Sequence, residues 1–426
     1  MNKINLIGIN ETIIHEKLPN GLDIYLLPNK HSKNFYITFS TKYGSIYTDF
    51  KLDNKEYHIP NGIAHFLEHI TFKMEDGNDA SAIFADLGSD SNAYTSYKVT
   101  CYEVTSYSNF KDNLTNLLDF VQKPFYTNEI VEREKGIICE EIKMYDDSAG
   151  SMLNFEVNNC LFNTSNYKYK VAGECEDVIN TTLDDINITY NTFYHPSNMF
   201  VIITGLFDPE EALNIIKENQ ANKVFKPQPH FEIITKKEPN NLVKNKSIIK
   251  YPVEIDKVCV ALKIPKDNFK DLHLTDNELN TYFRLLVNAN FGKSSLLREE
   301  LVDNKIINNT LFLNKEVLKD HIIIRILAET KHKNKLIKYI QKQLSNLSIS
   351  KEDFNRKKKV MISEYIQSFD DIEEVSYDIQ NDLIEYNKII DNYYEIYNNL
   401  DITILNKIIE RIDTKELLEV VLKKGN

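Results

Sequence analysis

Two stretches of this chain repeat each other at a nearly constant distance, and that constrains its architecture more than any other feature. The segment Asn116-Leu117-Leu118-Asp119-Phe120-Val121-Gln122-Lys123 resembles Lys335-Leu336-Ile337-Lys338-Tyr339-Ile340-Gln341-Lys342. Further on, Ile138-Cys139-Glu140-Glu141-Ile142-Lys143-Met144-Tyr145-Asp146-Asp147 matches Ile362-Ser363-Glu364-Tyr365-Ile366-Gln367-Ser368-Phe369-Asp370-Asp371. The offsets are 219 residues (336 minus 117) and 224 residues (362 minus 138). Two homologous halves with a small insertion explain both economically. Chance likeness between two amphipathic helices is the alternative, because helical periodicity alone reproduces some matches.

The order of local signals agrees with a duplication. Pro19-Asn20-Gly21 is a turn between two alternating runs, Ile13 to Leu27, which predicts a hairpin. A strand is expected over Phe35 to Tyr43, and helices over Ile63 to Phe72, with Asn61 as a candidate cap, and Ala80 to Leu87. A β-rich run Ser91 to Thr105 follows, then helices Lys111 to Val121, Asn128 to Tyr145 and Asn180 to Phe193, and a strand Met199 to Thr204. Residues 226–246, which include Pro227, Pro229 and a polar run, have linker composition. Beyond them strands near Val258 to Ile264, a helix near Asn277 to Ala289, strands within Thr310 to Leu327 and further helices restore the order. The reading is an α+β chain of two similar halves, 1–225 and 247–426, each a mostly antiparallel sheet packed with helices.

Charge and cysteine content narrow the class. With 51 Lys and Arg against 63 Asp and Glu, the net charge is −12, which disfavours nucleic acid and anionic membrane surfaces as partners. No run of about 18 uncharged apolar residues suggests a membrane span, and the first residues lack the apolar core of a signal peptide. Cys101, Cys139, Cys160, Cys175 and Cys259 are scattered without a CxxC, so no disulfide framework is expected and a reducing cytoplasm fits.

The chemistry concentrates at His65-Phe66-Leu67-Glu68-His69. Residues four apart on a helix lie about 40° apart, so both imidazoles emerge on one face, and Glu68 projects near it. This H-x-x-E-H order is the inverse of the H-E-x-x-H metallopeptidase motif. Two imidazoles and a carboxylate suit zinc, with the fourth position left for water. A structural histidine pair is the alternative. The helix Asn128 to Tyr145 supplies candidate carboxylates: Glu134 and Glu141, seven apart, share a face with Ile137, Ile138 and Tyr145, whereas Glu140 points away. Glu141 is the candidate ligand and Glu134 the candidate acceptor that orients a histidine. The alternative is that this acidic face is simply solvated.

With the approach Asn61-Gly62-Ile63-Ala64, the H-x-x-E-H stretch, and Glu134 and Glu141 downstream, the sequence resembles the pitrilysin (insulinase-like, M16) metallopeptidases. Ser91-Asn92-Ala93-Tyr94-Thr95-Ser96 and Phe193-Tyr194-His195-Pro196-Ser197-Asn198-Met199 look like the same family. The length and duplicated halves are similar to its short, two-domain bacterial and mitochondrial-processing-type branch. The resemblance implies pitrilysin-like halves and one zinc ion per chain on His65, His69 and Glu141. It also implies Glu68 as general base, Glu134 in support, and Asn92, Ala93 and Tyr94 on an edge strand that pairs with an extended peptide substrate. A zinc endopeptidase acting on peptides or small unfolded precursors inside a closed chamber follows, the chamber usually being built from two chains.

The second half departs from this pattern. Under the repeat alignment Lys358 stands for Glu134 and Tyr365 for Glu141, and no H-x-x-E-H occurs around Asn277 to Ala289. The family's Arg and Tyr seven apart, after a Ser-Ser pair, would fall on Val302 and Asn309 if anchored at Ser294-Ser295; Arg298 is near, but Lys305 lies seven beyond it. A homodimer, or a heterodimer with a second M16-like chain that donates the Arg/Tyr pair, is therefore expected. The competing reading is a non-catalytic or partner-dependent scaffold subunit. Gly292-Lys293-Ser294-Ser295 lacks the first glycine of a phosphate loop, where Val287 stands, and implies no nucleotide. His58 and His195 read as structural, the Arg356 to Lys359 run as a solvated helix face, and Tyr393, Tyr394 and Tyr397 as packing positions.

Overall fold

The computed structural model describes residues 2–75 and 77–425. They form two compact units, and neither is one run of chain. The first contains the chain up to Lys143, Lys170–Thr235 and Ile366–Asn392; the second contains Met144–Tyr169, Lys236–Tyr365 and the chain from Tyr393 onward.

The strands of the first unit, numbered along the chain, are β1 (Asn2–Asn5), β2 (Thr12–Lys17), β3 (Asp23–Pro28), β4 (Phe35–Thr41), β5 (Asp49–Leu52), β6 (Lys55–His58), β7 (Asp90–Thr95), β8 (Thr100–Ser106), β9 (Met199–Gly205) and β10 (Phe231–Ile233). Seven of them form a sheet of order β1-β2-β3-β9-β4-β8-β7, antiparallel except for β3 on β9, and the others a small sheet β10-β5-β6. The central strands β4 and β9 are buried along their whole length; β9 reads as a nearly unbroken apolar run, whereas β4 also buries Thr38, Ser40 and Thr41. Helices α1 (Ile63–Thr71), α2 (Ala80–Asp86), α3 (Phe110–Gln122), α4 (Asn128–Asp146), α6 (Cys175–Asn180), α7 (Leu183–Phe193) and α8 (Pro209–Ala221) accompany these sheets. On α3, Leu114, Leu117, Leu118 and Val121 recur at helical spacing and enter one large core with Ile37, Phe39 and Val104. The opposite face of the sheet is covered from far along the chain by α13 (Ile372–Glu385): Val375, Ile379 and Leu383 meet Tyr25, Leu27, Phe200 and Ile202.

The second unit carries β11 (Lys246–Tyr251), β12 (Asp256–Pro265), β13 (Phe312–Val317), β14 (His321–Thr330) and β15 (Leu418–Lys424), in the order β11-β15-β12-β14-β13 with only β11 and β15 parallel. Helix α5 (Ala149–Leu161) lays Leu153, Val157, Cys160 and Leu161 against Cys259, Ala261, Val420 and Leu422. Helices α9 (Asp276–Phe291), α10 (Leu296–Asp303), α11 (Lys333–Leu344), α12 (Lys351–Ser368), α14 (Tyr393–Asn398) and α15 (Ile402–Glu410) complete the set. A buried ion pair joins Lys263 Nζ to Glu238 Oε1 at 2.7 Å. Burial by itself would raise the Glu238 pKa, but the backbone N–H groups of Asn163, Thr164 and Ser165 and the Lys263 ammonium outweigh it and bring it to about 2.

Several expectations need correction. The division at 1–225 and 247–426 differs from the compact units, because α5 covers the sheet of the second unit and α13 that of the first. These two exchanged segments begin 222 residues apart (366 minus 144), close to the offsets of the internal repeat. The run 226–246 is built into the fold: it contains β10, paired with β5, and the buried Glu238 and Leu242. Helix α5, for which no element was expected, carries its apolar residues at i, i+4, i+7 and i+8. Cys139 and Cys175 form a disulfide, brought together by α4 and the start of α6, so the scatter of cysteines along the sequence hid a pair. That bond removes the cysteine argument for a reducing compartment. No helix among the described residues is long and apolar enough to cross a membrane.

Candidate metal centre

Helix α1 is positioned by backbone rather than by a capping side chain. Its N-cap is Gly62, not Asn61, in the left-handed region at φ 82°, and no side chain caps the helix. A Cβ at Gly62 would stand 2.1 Å from the Ala172 carbonyl oxygen, and one at Gly173 (φ 73°) would stand 2.6 Å from that of Asn61. Only glycine allows both the torsion and this approach of two chain segments. Two residues after Gly173, Cys175 is bonded to Cys139 on α4. The start of α1 and the carboxylate-bearing helix are thereby tied to the same short segment.

Three side chains converge, with others around them. The ligand atoms of His65, His69 and Glu141 lie within 4.8 Å of one another. His65 Nε2 is 3.6 Å from Glu141 Oε1, and His69 Nε2 is 3.0 Å from Glu141 Oε2. His69 Nδ1 donates to Glu134 Oε1 at 3.2 Å, which leaves Nε2 as its ligand nitrogen. Glu134 is buried, and Lys73 Nζ stands 3.6 Å from its other oxygen while also pairing with Asp79. Glu68 accepts a hydrogen bond of 2.6 Å from Thr95 Oγ1 on β7.

The electrostatics of these residues fit a cation. Burial lowers the His69 pKa, but hydrogen bonds to Glu134 and Glu141, with Glu68 close by, outweigh it and raise it to about 9. The cluster of carboxylates thus already favours positive charge where an ion would sit. Two imidazoles and one carboxylate form a donor set suited to zinc, with room for a fourth ligand. The residues therefore fit the metal. Among the described residues this is the one group of three His, Cys, Asp or Glu side chains close enough to share an ion.

The face expected on α4 is shifted. Glu134 is buried, with Val131, Ile138 and Ile142, but Ile137 and Tyr145 are 49% and 42% exposed, so they lie off that face. Glu140 is exposed, as expected, and pairs with Lys143. Asn92, Ala93 and Tyr94 lie on β7, which ends the seven-stranded sheet and leaves one edge unpaired by any described strand. Of the three, Ala93 packs toward the core and Tyr94 points through the other face to Gln380 on α13. His58 is exposed and bonds Asp49, and His195 caps the turn Pro196–Asn198 through Ser197. In the second unit Lys358 bonds the Asn398 carbonyl, Tyr365 packs with the rings of Tyr393 and Tyr397, and Arg298 bonds the Asn309 carbonyl. Thr95 and Lys73 had no assigned role in the sequence reading. Lys73 lies four residues after His69, a spacing that could have found it.

Residues 52–174 match the Insulinase (Peptidase family M16) family and residues 180–361 the Peptidase M16 inactive domain. Over 305 residues the chain is 41% identical to the uncharacterised zinc protease YmfH of Bacillus subtilis, covering 71% of this chain and 70% of that protein. The chain belongs to peptidase family M16. Another member, zinc protease PqqE of Helicobacter pylori, is 28% identical over 280 residues, 63% of this chain and 60% of its own length. Among solved structures, an M16-like peptidase from Alicyclobacillus acidocaldarius superposes with a TM-score of 0.92 at 27% identity, covering 99% of this chain and 100% of that one. The two M16 regions agree with the distribution of these residues: the group His65, His69 and Glu141 lies in the first matched region, and the second carries Lys358 at the position that the internal repeat aligns with Glu134.

Proposed function

We propose that the chain is a zinc-dependent endopeptidase that hydrolyses peptides or small unfolded precursors. The observation that carries this reading is the convergence of His65, His69 and Glu141 beside Glu68. His65, His69 and Glu141 would hold one zinc ion per chain, and Glu134 fixes the His69 ring through Nδ1. Bound there, zinc would supply activation of a water near neutral pH and polarisation of a peptide carbonyl. Glu68 would act as the general base that accepts a proton from the attacking water and as the acid that returns it to the leaving amine. Thr95 holds one oxygen of Glu68 by a 2.6 Å hydrogen bond and so limits the directions in which the other can face. The unpaired edge of β7, with Asn92, Ala93 and Tyr94, takes the substrate as an added strand.

The partner is a second M16-like chain, in a homodimer or heterodimer that closes a chamber and supplies the Arg/Tyr pair that Val302 and Asn309 do not provide. Cytoplasmic placement is part of the same proposal, and cell fractionation tests it. For the activity the test is Glu68→Gln. The variant should keep near-stoichiometric zinc by elemental mass spectrometry and lose cleavage of unfolded reporter peptides. Retained cleavage would overturn the assignment of Glu68, and a zinc-free wild type that stays empty when zinc is resupplied would favour a scaffold subunit.

A further inference from the structure

A pocket of about 560 Å³ opens on the face of the first unit's sheet that carries α13, opposite the face that carries α1. Cross-strand register places Asn92, Glu103 and Thr38 in one row across β7, β8 and β4, and Tyr36 and Tyr94 on the same face beside it. Glu373 and Glu374 on α13 add two more carboxylates to the lining, and no lysine or arginine lines it. The walls also hold unsatisfied polar groups. Thr38 Oγ1 and Ser376 Oγ, on residues 3% and 1% exposed, have no hydrogen-bond partner. Buried hydroxyls left unpaired in this way call for a partner, which an ordered water or a bound ligand can supply. Glu103 accepts a hydrogen bond from the Tyr36 hydroxyl. Burial, reinforced by Glu373 and Asp90 nearby, raises its pKa. An aromatic-rimmed, anionic pocket of this kind suits an organic cation that donates several hydrogen bonds.

The pocket also stands in line with the edge strand. Odd residues of β7 face α1, where Thr95 meets Glu68, and even residues face α13, where Tyr94 meets Gln380. A peptide added to the free edge of β7 alternates in the same way. Its residue opposite Asn92 would lie two strand spacings, about 10 Å, from Glu103. That gap can be bridged by an extended Arg or Lys side chain together with the Glu103 side chain.

We infer that this pocket is a subsite for the guanidinium or ammonium group of a basic side chain on a peptide strand paired with β7. The inference rests on the proposed peptidase reading and adds a preference to it. Because side chains alternate, the preferred basic residue lies an odd number of positions from any residue whose side chain faces Glu68.

The test uses the full chain as Glu68→Gln and fluorescence anisotropy with otherwise identical extended peptides in which one Arg, norleucine or Glu is walked along the sequence. At one register Arg should bind about tenfold more tightly than norleucine, with Glu weakest. In Glu103→Gln and in the exposed-site variant Glu373→Gln, Arg and norleucine should bind alike. Equal affinity for Arg and norleucine at every register, a preference that survives both substitutions, or no peptide binding at all would overturn the inference. Saturation by free agmatine with no effect of peptide basicity would show a small-cation site instead and would overturn it too. Cleavage by the wild type without a basic preference would sink the subsite alone. A pocket-dependent preference without cleavage would sink the peptidase reading alone.

Discussion

Removing the carboxylate of Glu134 should weaken zinc binding without unfolding the protein. Glu134 is not in the triad of converging ligand atoms; it acts through His69, whose Nδ1 donates to Glu134 Oε1 at 3.2 Å. Its side chain is only 2% exposed, so water does not readily replace the lost acceptor. Groups that orient a metal-bound histidine in this way typically change affinity 10- to 100-fold. That range corresponds to about 1.4–2.8 kcal/mol, similar to a hydrogen bond with one charged partner. Glu134→Gln keeps volume and an acceptor oxygen and removes only charge, so it belongs near the tenfold end. Glu134→Ala removes the acceptor altogether and belongs near a hundredfold. Lys73 is not stranded in either variant, because it retains Asp79 at 3.1 Å. The assay is competition for zinc against a chromophoric chelator at constant pH, with thermal unfolding of the metal-free proteins as the control for folding. Wild-type zinc affinity in Glu134→Ala would refute the assignment of Glu134 as the group that positions His69.

Reduction of Cys139–Cys175, or the double substitution Cys139→Ala with Cys175→Ala, should destabilise the chain by up to about 4 kcal/mol, since the bond closes a separation of 36 residues; thermal unfolding with and without a dithiol reductant measures it, and an unchanged midpoint would contradict it. Gly62→Ala should cost at least about 2 kcal/mol, combining a left-handed torsion with a Cβ 2.1 Å from a carbonyl oxygen; denaturant titration of the metal-free protein is the check. Glu238 has a folded-state pKa depressed from 4.5 to about 2, so the stability it contributes is present above about pH 4.5 and is lost as pH falls toward 2. In Glu238→Gln the part of the stability change over that interval that belongs to this pair should disappear, and an unaltered pH profile would argue against it.

What was legible in the sequence was what local geometry dictates. The i, i+4 spacing of His65 and His69 fixes their common face whatever surrounds the helix, and the seven-residue spacing brings Glu134 and Glu141 toward them from α4. The same reasoning overreached at Ile137 and Tyr145, because periodicity gives the angle between residues and not the direction of the buried stripe. Contacts made by tertiary folding left little trace. Thr95 reaches Glu68 across 27 residues, and Cys139 meets Cys175 across 36. Helix α5 did carry a usable signal at Leu153, Val157, Cys160 and Leu161, diluted by Asn154, Asn158 and Asn159. The internal offset revealed that the halves are alike, yet it could not reveal which sheet each late helix covers. That depends on long-range packing rather than on any local pattern.

The placement of α13 decides how the chain can be divided. A fragment ending at Thr235 would contain the candidate metal centre and the whole seven-stranded sheet, but it would leave Tyr25, Leu27, Phe200 and Ile202 facing water where Val375, Ile379 and Leu383 belong. Exposed apolar surface of this sort promotes aggregation. Expression of the N-terminal half alone should therefore give insoluble protein. A nick after Thr235 in the folded protein, by contrast, should leave the two pieces bound to each other, because the later fragment carries the helix that covers the earlier fragment's sheet. Separately expressed fragments would have to be refolded together, and recovery of zinc binding would then report complementation rather than the folding of an autonomous domain.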